Sequence, residues 1–133
     1  MRTVSQPDRR PEHRPDEWPD RSVVAVGRLV DVLRRRDPVD RLRAAHLLEV
    51  VSRRRPDLLG THVPTLLAVA VEDPDLVLPI LQVLPRLEIR PVDRDAVESG
   101  VRRWHDHEDA AVRVCVDVVL IAMGRTDDPG AGS

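Results

Sequence analysis

The chain has 133 residues, with 21 basic side chains, all arginine, against 23 carboxylates, for a net charge of −2. That length suits one domain with its own core, and the near-neutral balance excludes a global positive field that would draw the chain onto nucleic acid or anionic lipid. Cys115 is the single cysteine, which excludes an internal disulfide and fits a reducing compartment. No apolar run reaches the roughly 18 residues of a membrane span, and the first residues hold prolines and acids where a signal peptide needs an apolar stretch. A cytoplasmic address is the expectation. Lysine, asparagine, phenylalanine and tyrosine are absent, the codon habit of a GC-rich bacterial genome, so abundant arginine is not by itself a functional signal.

Residues 1–20, MRTVSQPDRRPEHRPDEWPD, carry prolines at 7, 11, 15 and 19 and offer little beyond Val4 and Trp18 to bury. This composition predicts a disordered tail, and residues 125–133 predict a second one. Between them, residues 21–124 read as one helical domain. Asp20 is a plausible cap for a first helix over 21–35, whose stripe is Val23, Val26, Val30 and Leu33. Arg34, Arg35 and Arg36 close that helix where its dipole favours cations. Asp37 then caps and Pro38 opens a second helix with the stripe Ala44, Leu47, Leu48 and Val51, ending in Arg53, Arg54, Arg55 and Pro56. The two helices form a hairpin with a very short turn.

The pattern then repeats. Asp37, Asp73 and Asp109 are spaced 73 − 37 = 36 and 109 − 73 = 36 residues apart. Apolar residues recur at the seventh position after each (Ala44, Ile80, Val116), the tenth (Leu47, Val83, Val119), the eleventh (Leu48, Leu84, Leu120) and the fourteenth (Val51, Leu87, Met123). Held in one frame, three-step and four-step spacings are one helix face written three times. First helices of the later pairs are expected at about 59–71 and 94–105, the last with the stripe Val97, Val101 and Trp104 and with Glu98, Ser99, Arg102 and Arg103 in water. Pro79 and Pro85 interrupt the middle second helix, which predicts a kink near 75–79 or a start at Pro79, and Pro64 raises the same question for the helix before it.

The segments DPVDRLRAAHLL, DPDLVLPILQVL and DAAVRVCVDVVL resemble the second helices of the HEAT-repeat (armadillo-like) α-solenoid family over residues 21–124. Asp109, Val112 and Arg113 match that pattern, as do Asp37, Pro38, Arg41 and Ala44; Asp40 and Val77 depart from it. The resemblance implies an all-α fold, a short α-solenoid of three HEAT-like hairpins with a period of 36 residues. It also implies that Arg41, Arg113 and the three aspartates join neighbouring repeats.

The densest polar stretch is WHDHED, residues 104–109. His105 and His107, two apart, converge on a metal only from an extended backbone, whereas the repeat frame makes 105–108 a loop and Asp109 a cap. His46 and His62 read as helix-surface residues and Cys115 as a buried inert thiol. With no glycine-rich phosphate loop, no nucleophile elbow and only Trp18 and Trp104 for stacking, the expectation is a non-catalytic module without cofactor or metal. Two surfaces are candidates for binding. Val114, Val118 and Ile121 project from the last helix opposite its inward stripe, on what the repeat frame treats as a solenoid end, and are expected to meet a protein partner or another copy, the rival reading being that a tail with Trp18 folds back over them. The equivalent side of the earlier helix holds Arg43, His46 and Glu49 with Leu42 and Val50. The alternative surface is a polyanion site on Arg34, Arg35, Arg36, Arg53, Arg54 and Arg55. The helix between the triplets is about 22 Å long, which puts them at opposite ends of a hairpin and disfavours nucleic acid.

Overall fold

The computed structural model describes residues 21–127. Asp20, the tail expected over 1–20 and residues 128–133 of the tail expected over 125–133 lie outside the described residues. All regular structure described is helical: α1 (Arg21–Leu33), α2 (Pro38–Arg54), α3 (Val63–Glu72), α4 (Val77–Val83), α5 (Pro91–Arg102) and α6 (Ala110–Asp127). Short 3₁₀ turns occupy Pro56–Leu58, Gly60–His62, Pro74–Leu76 and Leu84–Arg86. The last helix thus runs three residues past the expected domain limit at 124.

The three aspartates perform one task. Asp37 Oδ1 accepts from the Val39 and Asp40 amides at 2.9 and 3.1 Å, Asp73 Oδ1 from Asp75 at 3.0 Å, and Asp109 Oδ1 from Ala111 at 2.8 Å. Each satisfies amides that a helix start leaves without an internal partner. Prolines set the remaining boundaries. Pro64 is the second residue of α3 and Pro79 the third of α4, positions where a missing N–H removes no helical bond. The middle helix therefore starts at Val77, directly after the 3₁₀ turn Pro74–Leu76 and two residues before Pro79. Pro85 converts its end into the 3₁₀ turn Leu84–Arg86.

Other boundaries differ from the sequence pattern. Two 3₁₀ turns, anchored by the fully buried Leu59, take up the residues before Val63, so α3 starts later than 59. Pro91 starts α5 earlier than 94. That helix ends at Arg102, and Trp104 sits in the following turn, its amide bonded to the Val101 carbonyl at 3.0 Å and its ring still buried. Arg34, Arg35 and Arg36 lie just past the end of α1, in the turn that leads to Asp37.

Each helix packs on its sequence neighbour within the pairs α1 and α2, α3 and α4, α5 and α6. Contacts also link α2 to α4, α4 to α6, α1 to α3 and α3 to α5, which places α4 between α2 and α6 and α3 between α1 and α5. Gly100 lies at the last of these approaches. A Cβ there would lie 2.9 Å from Leu67 Cδ2, so a side chain at this position would require the Leu67 methyl groups to shift.

The apolar frame is buried at its seventh position in all three copies (Ala44, Ile80, Val116), while at the eleventh Leu48 and Leu84 are buried and Leu120 partly so. At the tenth position Val83 and Val119 are buried but Leu47 is 52% exposed. The reason is positional: among the described residues the flank of α2 that carries Leu47 has no helix beside it, and Ala45 and Leu48 are the residues of this helix that enter the core. Val23, expected on the first stripe, is also exposed, leaving Val26, Val30 and Leu33 as the buried face of α1.

Ile80→Ala is expected to lower unfolding free energy by about 2–5 kcal/mol, as for other large-to-small core changes, while Val23→Ala stays within about 0.5 kcal/mol. Urea denaturation of both variants checks this. Equal losses would contradict the burial assignment.

Candidate binding surface

The side of α2, α4 and α6 turned away from α1, α3 and α5 forms an open face. Its residues come from the fifth, ninth and twelfth positions of the repeat: Leu42, His46 and Glu49 on α2; Leu78, Gln82 and Pro85 on and after α4; Val114, Val118 and Ile121 on α6. On α6 these are all exposed valine and isoleucine, at 60%, 44% and 56%. Val118 and Cys115 line one wall of a groove of about 460 Å³, with Leu81 and Pro85 at its centre and Glu49 and Arg53 on the opposite wall. Val118 therefore belongs to a face shared with α4 rather than to the end of the helix row. At 100° per residue, the flank of α6 pointing away from α4 carries Arg113 and Asp117, both exposed. The structure brings the three candidate apolar residues onto one helix and joins them to a groove whose α4 half the sequence did not indicate.

The opposite wall is a polar latch. Glu49, expected on the outer side, is 9% exposed, and Ser52 beside it is buried. Arg86 Nη1 donates to Glu49 Oε2 at 2.6 Å and to Ser52 Oγ at 2.9 Å, while Arg53 makes a two-point contact with the same carboxylate at 2.9 Å for each bond. Burial pushes the Glu49 carboxyl up, but the hydrogen bonds from Arg53 and Arg86 outweigh it and hold the group below its ordinary value of 4.5. Nothing in the sequence pattern marked Arg86, 37 residues away. A buried carboxylate requires a cation from a neighbouring element, but that requirement does not say which one.

The arginine triplets are not equivalent. Arg34, Arg35 and Arg36 are exposed and make no ion pair among the described residues. In the second triplet Arg53 holds Glu49, and Arg55 pairs with Asp57 at 3.0 Å, lowering that carboxyl mainly through their hydrogen bond. The triplets stand at opposite ends of α2, as its length dictates. Arg41 has a joining role: its Nε donates to the Leu33 carbonyl at 2.9 Å, and its Nη1 lies 3.5 Å from Asp73 Oδ2. Arg113 occupies the same position two periods later, with Nη1 donating to the His107 and Glu108 carbonyls at 2.6 and 3.2 Å.

WHDHED is a turn in which polar groups serve the backbone. The Asp109 amide donates to His107 Nδ1 at 3.0 Å while the Asp109 carboxylate caps α6. His105 reaches only Asp106, at 3.4 Å, and Arg103 lies over the Trp104 ring at 5.9 Å. Among the described residues no three His, Cys, Asp or Glu side chains are grouped as a metal site requires. Cys115 is partly buried, and desolvation, followed by the Asp109 charge, pushes its thiol up, away from the thiolate that nucleophilic chemistry uses. No helix among the described residues is long and apolar enough to cross a membrane. Comparison with family models, with curated proteins and with solved structures finds no match for this chain.

Because the folded Glu49 carboxyl lies below its ordinary value, its contribution is fully present above pH 4.5 and is lost as pH falls through the lowered value. Glu49→Gln should cost about 1–3 kcal/mol at neutral pH and flatten the loss of stability below pH 4.5, read from urea midpoints over that range. Curves parallel to wild type would contradict it. Asp109→Ala should cost about 1 kcal/mol as a lost cap, whereas His105→Ala stays within about 0.5 kcal/mol. Added Zn²⁺ should leave the melting temperature of both unchanged; a rise that needs His105 would return the loop to metal chemistry.

Proposed function

We propose that residues 21–124 form a short α-solenoid of three HEAT-like hairpins acting as a non-catalytic protein-interaction or scaffold module, with the open face of α2, α4 and α6 as its binding surface. The observation that carries this reading is the exposed strip Val114, Val118 and Ile121, continuous through Leu81 and Pro85 with a groove wall whose charges are internally paired. Such a surface offers apolar area with a fixed polar rim, the composition of a protein interface centre. The repeat reading draws support from three aspartate caps 36 residues apart, from contacts that join each helix to the next but one, and from the Arg41–Asp73 bridge between successive pairs. A cytoplasmic protein of bacterial composition is the setting this reading assumes. Polyanion binding through Arg34–Arg36 and Arg53–Arg55 is the weaker reading, since two of the six guanidinium groups are held by carboxylates and the triplets lie at opposite ends of α2.

Capture from the native host lysate tests this with three baits: wild type, Val114→Glu/Val118→Glu, and a variant with both arginine triplets changed to alanine. The expected result is protein retained at high salt by the wild type and the arginine variant but lost with the valine variant. Salt-sensitive retention of nucleic acid that only the arginine variant loses would overturn it.

A further inference from the structure

The flanks of the even-numbered helices obey a rule that fails only at the two ends. Arg86, thirteen residues after Asp73, reaches Glu49 and Ser52 on α2, which fixes the flank of α4 that faces α2. Val83 lies on that same flank, and Leu81 on the one that faces α6. The tenth position after each aspartate thus points to the preceding even helix and the eighth to the following one. Val83 and Val119 are buried at the tenth, and Ala45 and Leu81 at the eighth. At the free ends the residues change character. Leu47 stays apolar although exposed, flanked by Arg43 and Arg54, while the eighth position of α6 is Asp117.

The arginine bridge shows the same incompleteness. Asp73 uses Oδ1 to cap its turn and Oδ2 to receive Arg41 from the preceding pair. Asp37 uses Oδ1 in the same way, and among the described residues no cation reaches its carboxylate. Arg41 is anchored by the carbonyl of the turn before its own helix, and so is Arg113. Yet among the described residues Arg113 meets no carboxylate, only the His107 and Glu108 carbonyls.

We propose that copies of this chain stack head to tail, the free flank of α6 in one copy seating on the free flank of α2 in the next, with Arg113 bridging to Asp37 and Asp117 facing Arg43 and Arg54. The inference rests on the repeat reading above but uses a surface separate from Val114 and Val118. A second copy is the occupant because the two flanks are the two halves of an interface the chain already makes twice, between α2 and α4 and between α4 and α6, and each carries both signs in complementary places, Arg113 and Asp117 on one against Asp37 and Arg43 with Arg54 on the other. Such a heterologous junction leaves one free flank at each end of any pair, so association continues to a ring or filament.

Sedimentation of the full chain tests it, with circular dichroism confirming that each variant is folded. Leu47→Glu blocks one flank and Asp117→Arg the other; both residues are exposed. Wild type should form species larger than a dimer as concentration rises. Each variant alone should associate about tenfold more weakly or worse, and an equimolar mixture should form a discrete one-to-one pair through the single intact junction. Val118→Glu should associate like wild type. A wild type that stays monomeric, single variants that associate normally, or a mixture that stays monomeric would each overturn head-to-tail stacking while leaving open-face capture of a protein intact. Association lost in Val118→Glu and retained in Leu47→Glu would also overturn it, and would move self-association to the open face.

Discussion

The structure depends on the burial of α4. Five of its seven residues, Val77, Pro79, Ile80, Leu81 and Val83, are buried, and they point to almost every side of the helix. A helix that is apolar nearly all round must lie inside, and a seven-residue helix is too short to be stable without tertiary contacts. Its neighbours follow from that requirement. Helix α3 covers one side, α2 and α6 cover the two flanks, and only the strip around Gln82 faces water. Helices α2 and α6 bury residues toward α4 and toward their own hairpin partners and leave apolar side chains such as Leu47, Val50, Val114 and Ile121 exposed.

Apolar burial is non-directional, so it fixes which helices touch more firmly than how they are aligned. Polar contacts supply the alignment. The Glu49, Ser52, Arg53 and Arg86 latch ties the second half of α2 to the turn after α4, and the Arg41–Asp73 bridge ties its first half to the turn before it. Two fixed points along one helix pair set its register, and they also shape the groove, since the latch is one of its walls. No equivalent bridge joins α4 to α6, because Val77 stands where Arg41 and Arg113 stand in the other copies. That junction relies on buried apolar residues such as Leu81 and Val119, while Arg94 ties α5 to α6 within the last pair through the Met123 carbonyl at 2.7 Å.

Much of this was legible in the sequence where the physics is local and periodic. Aspartate followed by a helical stripe signals a cap, and the recurrence at 36 residues located all three. The seventh and eleventh positions of the frame were correctly inward. What the pattern could not show was where the repetition stops. Leu47 fits the frame as well as Val83 does, yet it is exposed because among the described residues no even-numbered helix packs on its flank. Glu49 looked like a surface residue for the converse reason, since its burial depends on an arginine in another pair. The 3₁₀ turns around Pro56, Pro74 and Pro85 were also hidden, because proline forbids a helical bond without specifying the conformation that replaces it. At the candidate surface, Val114, Val118 and Ile121 were visible as an outward strip. Their union with Leu81 and Pro85 required the packing of α6 on α4.

The central proposal is that consecutive helix pairs lie side by side, and one close approach between pairs is at Gly100 on α5, where a Cβ would lie 2.9 Å from Leu67 Cδ2 on α3. A methyl-resolved nuclear Overhauser spectrum of the folded chain measures that approach directly. The account predicts strong cross-peaks between the Leu67 methyl groups and the Gly100 α-protons, 33 residues apart in sequence. A well-dispersed helical spectrum without them would contradict the stacking of α3 on α5, and with it the side-by-side placement of the pairs.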